Sequence, residues 1–177
     1  MPAIHIPTRR LFVCALSLFG AVAAVSAEPV RILVLCTGNS ARSQMTAGFL
    51  KSFDPGLEVY SAGTAPAPRV NPYAVKAMAE IGIDISNGVP KNVSQFLGQS
   101  FDFVVTVCDD ADKNCPNFRG KVGKRVHIGF PDPAKATGSD EQKMVVFRQV
   151  RDDIKGRFQS FYNDQVQTAK AKAGARR

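Results

Sequence analysis

Cys36-Thr37-Gly38-Asn39-Ser40-Ala41-Arg42-Ser43 places a thiol, a guanidinium and a hydroxyl in one short loop, directly behind the apolar run Val30 to Leu35. A strand that ends in such a loop and leads into a helix aims unpaired backbone N–H groups and the positive end of the helix dipole at whatever the loop encloses. Those donors favour an oxyanion. For the same reason they are expected to lower the pKa of Cys36, since a thiolate puts negative charge at the same point. Arg42 can grip two oxygens in a fork that a lysine could not offer, and Ser43 can donate a hydrogen bond to the sulfur. The loop therefore predicts a cradle for a tetrahedral oxyanion, formed by Thr37, Gly38, Asn39, Ser40, Ala41 and Arg42, with Cys36 as nucleophile at its floor. A lone strand-end cysteine is more often packed than reactive; the whole C-x5-R-S loop in register after a strand outweighs that reading.

Two further thiols, Cys108 and Cys115, frame the polar stretch Asp109-Asp110-Ala111-Asp112-Lys113-Asn114. Ester hydrolysis through a cysteinyl intermediate needs one nucleophile and one proton donor, so this pair would be idle in a hydrolase. Reduction of an oxyanion needs two electrons, which a dithiol relay supplies. Such a relay requires the sulfurs to approach within about 2 Å and the α-carbons within roughly 4.4–6.8 Å, so the segment between the cysteines is expected to be a loosely held polar loop. A surface loop with an adventitious cysteine pair is the plainer alternative. Asp132, in Gly129-Phe130-Pro131-Asp132-Pro133-Ala134, is by itself a turn former.

The elements that must position these groups alternate. The pattern predicts strands near 30–36, 57–61, 102–108 and 125–128, and helices near 43–53, 72–82, 93–98 and 140–162. Met45, Phe49 and Phe53 share one face of the first helix, Asn71-Pro72 suits the start of the second, and Phe147, Val150, Ile154, Phe158 and Phe161 mark the core face of the last. The expected fold is α/β, a three-layer sandwich around a parallel sheet of about four strands. Ligands in such sheets bind at the carboxyl ends of strands, where Cys36 and Cys108 both fall.

The loop resembles that of the low-molecular-weight protein tyrosine phosphatases and of the thioredoxin-coupled arsenate reductases that share their fold. Ser61-Ala62-Gly63, the Phe101 to Cys108 strand and the Gly129 to Ala134 segment match the reductases' counterparts, so the similarity spans about Val30 to Phe161. Cys108 with Cys115, a C-x6-C pair, resembles the reductases' relay, which the simple phosphatases lack. The resemblance implies an arsenate reductase: Cys36 attacks arsenate (phosphate being an analogue), Asp132 serves as general acid, Cys108 attacks the Cys36 adduct, and Cys115 carries the disulfide outward to a thioredoxin-like donor. A phosphatase using Cys36, Arg42 and Asp132 is the alternative, and a non-turnover oxyanion sensor a third. Where some relatives have a glutamate that helps hold potassium, this chain has Ala47, which puts a potassium site in doubt. Lys91 is read either as a fixed charge in its place or as a plain exposed lysine.

Arg9-Arg10, the apolar stretch Leu11 to Val25 and Ser26-Ala27 predict a signal peptide over residues 1–27, twin-arginine in style, cleaved before Glu28. About 15 apolar residues are too few for a stable membrane anchor. Export implies a periplasmic or secreted protein, where an oxidising environment would demand a dedicated thioredoxin-like reductant; a misassigned start would make it cytoplasmic. Residues 28–177 then form one domain and an expected monomer. The net charge of +8 falls to +6 without Arg9 and Arg10, enough to draw in oxyanions. No stacking platform or recognition motif accompanies that charge, so nucleic acid is not an expected partner. With His5 and His127 the only histidines, no metal site and no bound cofactor are expected.

Overall fold

The computed structural model describes residues 28–175. The signal assigned to residues 1–27, Cys14 within it, and Arg176-Arg177 lie outside the described residues. Four strands, β1 (Arg31–Cys36), β2 (Glu58–Gly63), β3 (Phe101–Thr106) and β4 (Val122–His127), form a parallel sheet in the order β2-β1-β3-β4. Strand β1 is central, and Ile32, Leu33, Val34 and Leu35 have no exposed surface. That explains why the run lacks alternation: a strand covered on both faces is apolar throughout, and each such side chain contributes about 1.5–3 kcal/mol by leaving water. The chain leaves β1 toward β2 on one side and returns to β3 on the other. The sheet therefore opens a crevice beyond the carboxyl ends of β1 and β3.

The helices are α1 (Arg42–Phe53), α2 (Pro72–Ala79), α3 (Asp109–Lys113), α4 (Asp140–Phe161) and α5 (Gln167–Ala175). Helix α1 is buried on more than its predicted face, with Ser43, Gln44, Met45, Thr46, Ala47, Phe49 and Leu50 all covered, because it packs on the sheet and on α4 together. Asn71 caps α2 as expected, accepting from the Tyr73 N–H at 2.9 Å with Pro72 in the first turn. The helix stops at Ala79, short of the expected 82, where the chain turns through Gly82 at φ 77°. Ser139 and Gln142 close a reciprocal cap on α4, and the five predicted core positions are all buried.

Three expectations need correction. The segment after Cys108, expected to be a loop, is the short helix α3; Asp109, Asp110 and Asp112 sit in its first turn, where carboxylates suit the dipole. The helical path does not stop with α4 at Phe161, the end expected near 162, but widens into a π-helical turn over Tyr162–Val166 and continues as α5. The extra residue in that turn rotates Val166 into the core, where it is fully buried, and Lys170 of α5 pairs with Asp54. Strand β4 begins at Val122, three residues early, because an edge strand need not alternate: Lys124 and Arg125 both face solvent. Among the described residues no helix is long and apolar enough to cross a membrane.

Candidate active site

Cys36 is the last residue of β1, and the loop that follows is held from outside. The backbone N–H groups of Thr64, Ala65, Ala67 and Asn71 donate to the carbonyls of Cys36, Thr37, Gly38 and Ser40 at 2.8–3.2 Å. With its carbonyls drawn outward, the loop turns N–H groups toward the sulfur, that of Asn39 at 3.0 Å from Sγ. Gly63 lies directly beneath: a Cβ there would collide with the Thr37 carbonyl oxygen and reach 3.0 Å from the Asn39 nitrogen. The glycine of Ser61-Ala62-Gly63 is thus explained by close approach.

Asn39 organises the floor. It is fully buried and adopts φ 46°, the one left-handed non-glycine backbone among the described residues. Its Oδ1 accepts from the Lys91 N–H at 2.8 Å, so its Nδ2 is the group that donates to Ser43 Oγ at 2.9 Å. Ser43 Oγ also lies 2.9 Å from Cys36 Sγ and donates its proton there when the sulfur is a thiolate. Gln44 Nε2 bonds the Asn39 carbonyl at 3.1 Å. The sequence marked Asn39 only as one amide donor among six; its tie to Lys91, 52 positions away, has no local signal.

The expected pKa of Cys36 is corrected. Burial pushes its thiol up, and the Ser43 hydroxyl with the Ser43 and Asn39 N–H groups opposes that without overcoming it. The loop pattern shows the donors but not that the sulfur is almost wholly removed from water, at 3% residue exposure.

Arg42 spans the mouth of the loop to the segment after β4. Its Nη2 lies 3.1 Å from Asp132 Oδ2 and its Nη1 donates to the Phe130 carbonyl at 3.0 Å. Asp132 is therefore brought to the site, and it also plays the turn-former's part, accepting from the Ala134 N–H at 3.2 Å. Cys108, just past the end of β3, is buried in the same crevice, with Thr37 Oγ1 at 3.5 Å from its sulfur. Cys36, Cys108 and Cys115 are all free thiols, and only Cys115 reaches partial exposure.

Helix α3 stands between Cys108 and Cys115, and the two are separate free thiols. A network unforeseen from the sequence pins that helix. Thr106 Oγ1 donates to Asp112 Oδ1 at 2.8 Å and meets His127 Nδ1 at 2.8 Å, while Asp109 Oδ1 lies 3.4 Å from His127 Nε2.

Ala47 and Lys91 line one pocket of about 480 Å³ with Gln44 and Lys51. The Lys91 side chain is exposed, and its backbone buttresses the loop through Asn39 and through its carbonyl, which accepts from Gly63. Among the described residues no group of three or more His, Cys, Asp or Glu comes together in a way that could hold a metal ion.

A family model described as low molecular weight phosphotyrosine protein phosphatase matches residues 31–172. The arsenate reductase of Halalkalibacterium halodurans is 52% identical over 131 residues, 73% of this chain and 93% of the relative. A solved arsenate reductase in its oxidized state aligns with a TM-score of 0.62 at 30% identity, over 72% of this chain and 92% of that one. A thioredoxin-dependent arsenate reductase of Corynebacterium glutamicum aligns with a TM-score of 0.54 at 25% identity, over 79% and 66% respectively.

Proposed function

This chain belongs to the low molecular weight phosphotyrosine protein phosphatase family, and from that premise we propose that it is an arsenate reductase fed by a thioredoxin-like donor. The observation that carries the reading is the pairing of two buried thiols, Cys36 and Cys108, in one crevice, with a third, Cys115, toward the surface. A phosphatase has work for the first alone.

Arsenate enters the cradle of residues 37–42 and competes with Asp132 for the fork of Arg42. Cys36, as thiolate under the Ser43 and Asn39 donors, attacks arsenic, and Asp132 gives a proton to the departing hydroxide. Cys108 then attacks Cys36 Sγ; the electron pair of the sulfur–arsenic bond passes to arsenic, which leaves as arsenite while the Cys36–Cys108 disulfide forms. Cys115 attacks Cys108 in turn and frees Cys36, and an external dithiol reduces the Cys108–Cys115 disulfide. Helix α3 has to unwind for that last exchange. The contacts of Thr106 and His127 with α3 set what unwinding costs.

Phosphate-ester hydrolysis is the second reading, favoured by the Cys36, Arg42 and Asp132 set, which serves either anion. Arsenate-dependent NADPH oxidation with thioredoxin and its reductase, run beside ester hydrolysis on the same sample, separates the two. Sustained oxidation that vanishes in Cys108→Ser supports the reductase; hydrolysis without arsenate turnover refutes it. In Cys115→Ser a single turnover should survive and multiple turnover stop, and undiminished steady-state rates would count against the relay.

Residues 1–27 are proposed as an export signal on their charge and apolar pattern. N-terminal sequencing of protein from fractionated cells checks this: a mature start at Glu28 supports export, and an intact amino terminus retained in the cytoplasm refutes it.

A further inference from the structure

Arg125 stands on β4 with its side chain in solvent, yet it does not point away from the protein. Its Nη1 donates to Cys115 Sγ at 3.0 Å. The same guanidinium reaches the Pro116 carbonyl from Nη1 and Nη2 at 3.4 and 3.3 Å, and lies over the Phe118 ring at 5.4 Å from its centroid. Contacts with three residues of one short segment fix a planar cation against a thiol. We propose that Arg125 is the counter-ion of the Cys115 thiolate and a catalytic residue of the second thiol–disulfide exchange.

The inference rests on the reductase reading above. In the step concerned, the Cys115 thiolate's electron pair forms the bond to Cys108 Sγ, the Cys36–Cys108 bond breaks, and Cys36 leaves as thiolate. No net oxidation occurs; one negative charge moves from beside Arg125 to the donors of Ser43 and Asn39. Cys115 needs help to start, because burial pushes its thiol up and Asp112 adds to that, while Arg125 pulls it down. The grip lies wholly on the carboxyl-terminal side of α3, at residues 115, 116 and 118, so unwinding 109–113 does not require it to break. An arginine suits this place better than a lysine, since its fork meets sulfur and carbonyl together while its face covers the ring.

The test begins without arsenate. Reduced full-length protein is alkylated with iodoacetamide across about pH 5.5 to 10, with Cys115 followed by peptide mass spectrometry in wild type, Arg125→Met and Arg125→Lys. The midpoint for Cys115 should move to higher pH in Arg125→Met and largely return in Arg125→Lys. Alkylation at neutral pH should slow with the loss of thiolate; in thiol–disulfide exchange the gain in nucleophilicity of the more basic sulfur restores about half of the logarithm, so each tenfold loss of thiolate should slow the second exchange about threefold. Quenched single turnovers with arsenate should then show the Cys36–Cys108 disulfide persisting in Arg125→Met at neutral pH by a similar factor, with the delay shrinking as the pH rises through the Cys115 midpoint measured for that variant. An unshifted midpoint, or a faster second exchange, overturns the proposal; the latter would make Arg125 a tether. A shifted midpoint with no arsenate-dependent disulfide in wild type would overturn the reductase reading, and the role of Arg125 in it, while leaving the ion pair intact.

Discussion

Replacing Asn39 by alanine and by glycine tests how the floor of the loop is held. Asn39→Ala removes the acceptor of the Lys91 N–H, a part-buried bond, and the donor to Ser43, a buried one, from a side chain with no exposed surface. A buried partner left unsatisfied costs about 1–3 kcal/mol; the Lys91 N–H has no substitute in the fold, whereas Ser43 keeps its bond to Cys36. That gives about 2–3 kcal/mol for the lost bonds. Alanine must also hold φ 46°, a left-handed conformation that costs an L-residue with a Cβ roughly 1–2 kcal/mol and costs glycine almost nothing. Asn39→Ala should therefore lose about 3–5 kcal/mol, and Asn39→Gly about 1 kcal/mol less. The order inverts the usual one, in which glycine is the more damaging replacement. Urea unfolding at neutral pH followed by circular dichroism measures both, and for a domain of this size the gap corresponds to about 2–4 °C in Tm. Alanine as stable as glycine, or more so, would refute the strain argument; neither variant losing more than about 1 kcal/mol would refute the account of the buried network.

Ser43→Ala removes the strongest of the groups that hold the Cys36 pKa down against burial; the thiol should titrate at still higher pH, and the rising limb of kcat/KM against pH should move upward with it, while an unmoved limb would mean that the limb does not report Cys36. Gly63→Ala sets a Cβ onto the Thr37 carbonyl and the Asn39 nitrogen, so it should cut kcat/KM at least about tenfold, as expected from displacing a positioned group by a fraction of an ångström; wild-type kinetics would show that the loop does not rest on that glycine. Lys170 first, and the Gly56 N–H and Tyr162 hydroxyl after it, hold the Asp54 carboxyl below its ordinary value. A depressed folded pKa means that this stabilisation is present above the unfolded value of about 3.9 and is lost as pH falls through the lower folded value. Asp54→Asn should accordingly lower Tm at neutral pH and leave it unchanged near about pH 2, and an equal loss at both would assign the effect to packing.

The local pattern carried much of this molecule. An apolar run ending in a C-x5-R-S loop is legible because its chemistry needs residues adjacent in sequence, and the strands β1, β2 and β3, the Asn71 cap and the core face of α4 follow from apolar runs, side-chain period and turn chemistry alone. Packing decided what periodicity could not reach. The loop amides show that Cys36 has donors, but only the covered crevice shows that burial outweighs them. Asn39 gains its role from Lys91 and Asp132 its place from Arg42, contacts across 52 and 90 positions that exist because the segments beside the carboxyl ends of β2 and β4 both meet the loop that leaves β1. The polar segment after Cys108 looked like a loop because its stabilising partners, Thr106 and His127, lie on strands outside it. The physical division is one of range: backbone preference and side-chain period act within a few residues, whereas desolvation and ion pairing depend on which segments the sheet order makes neighbours.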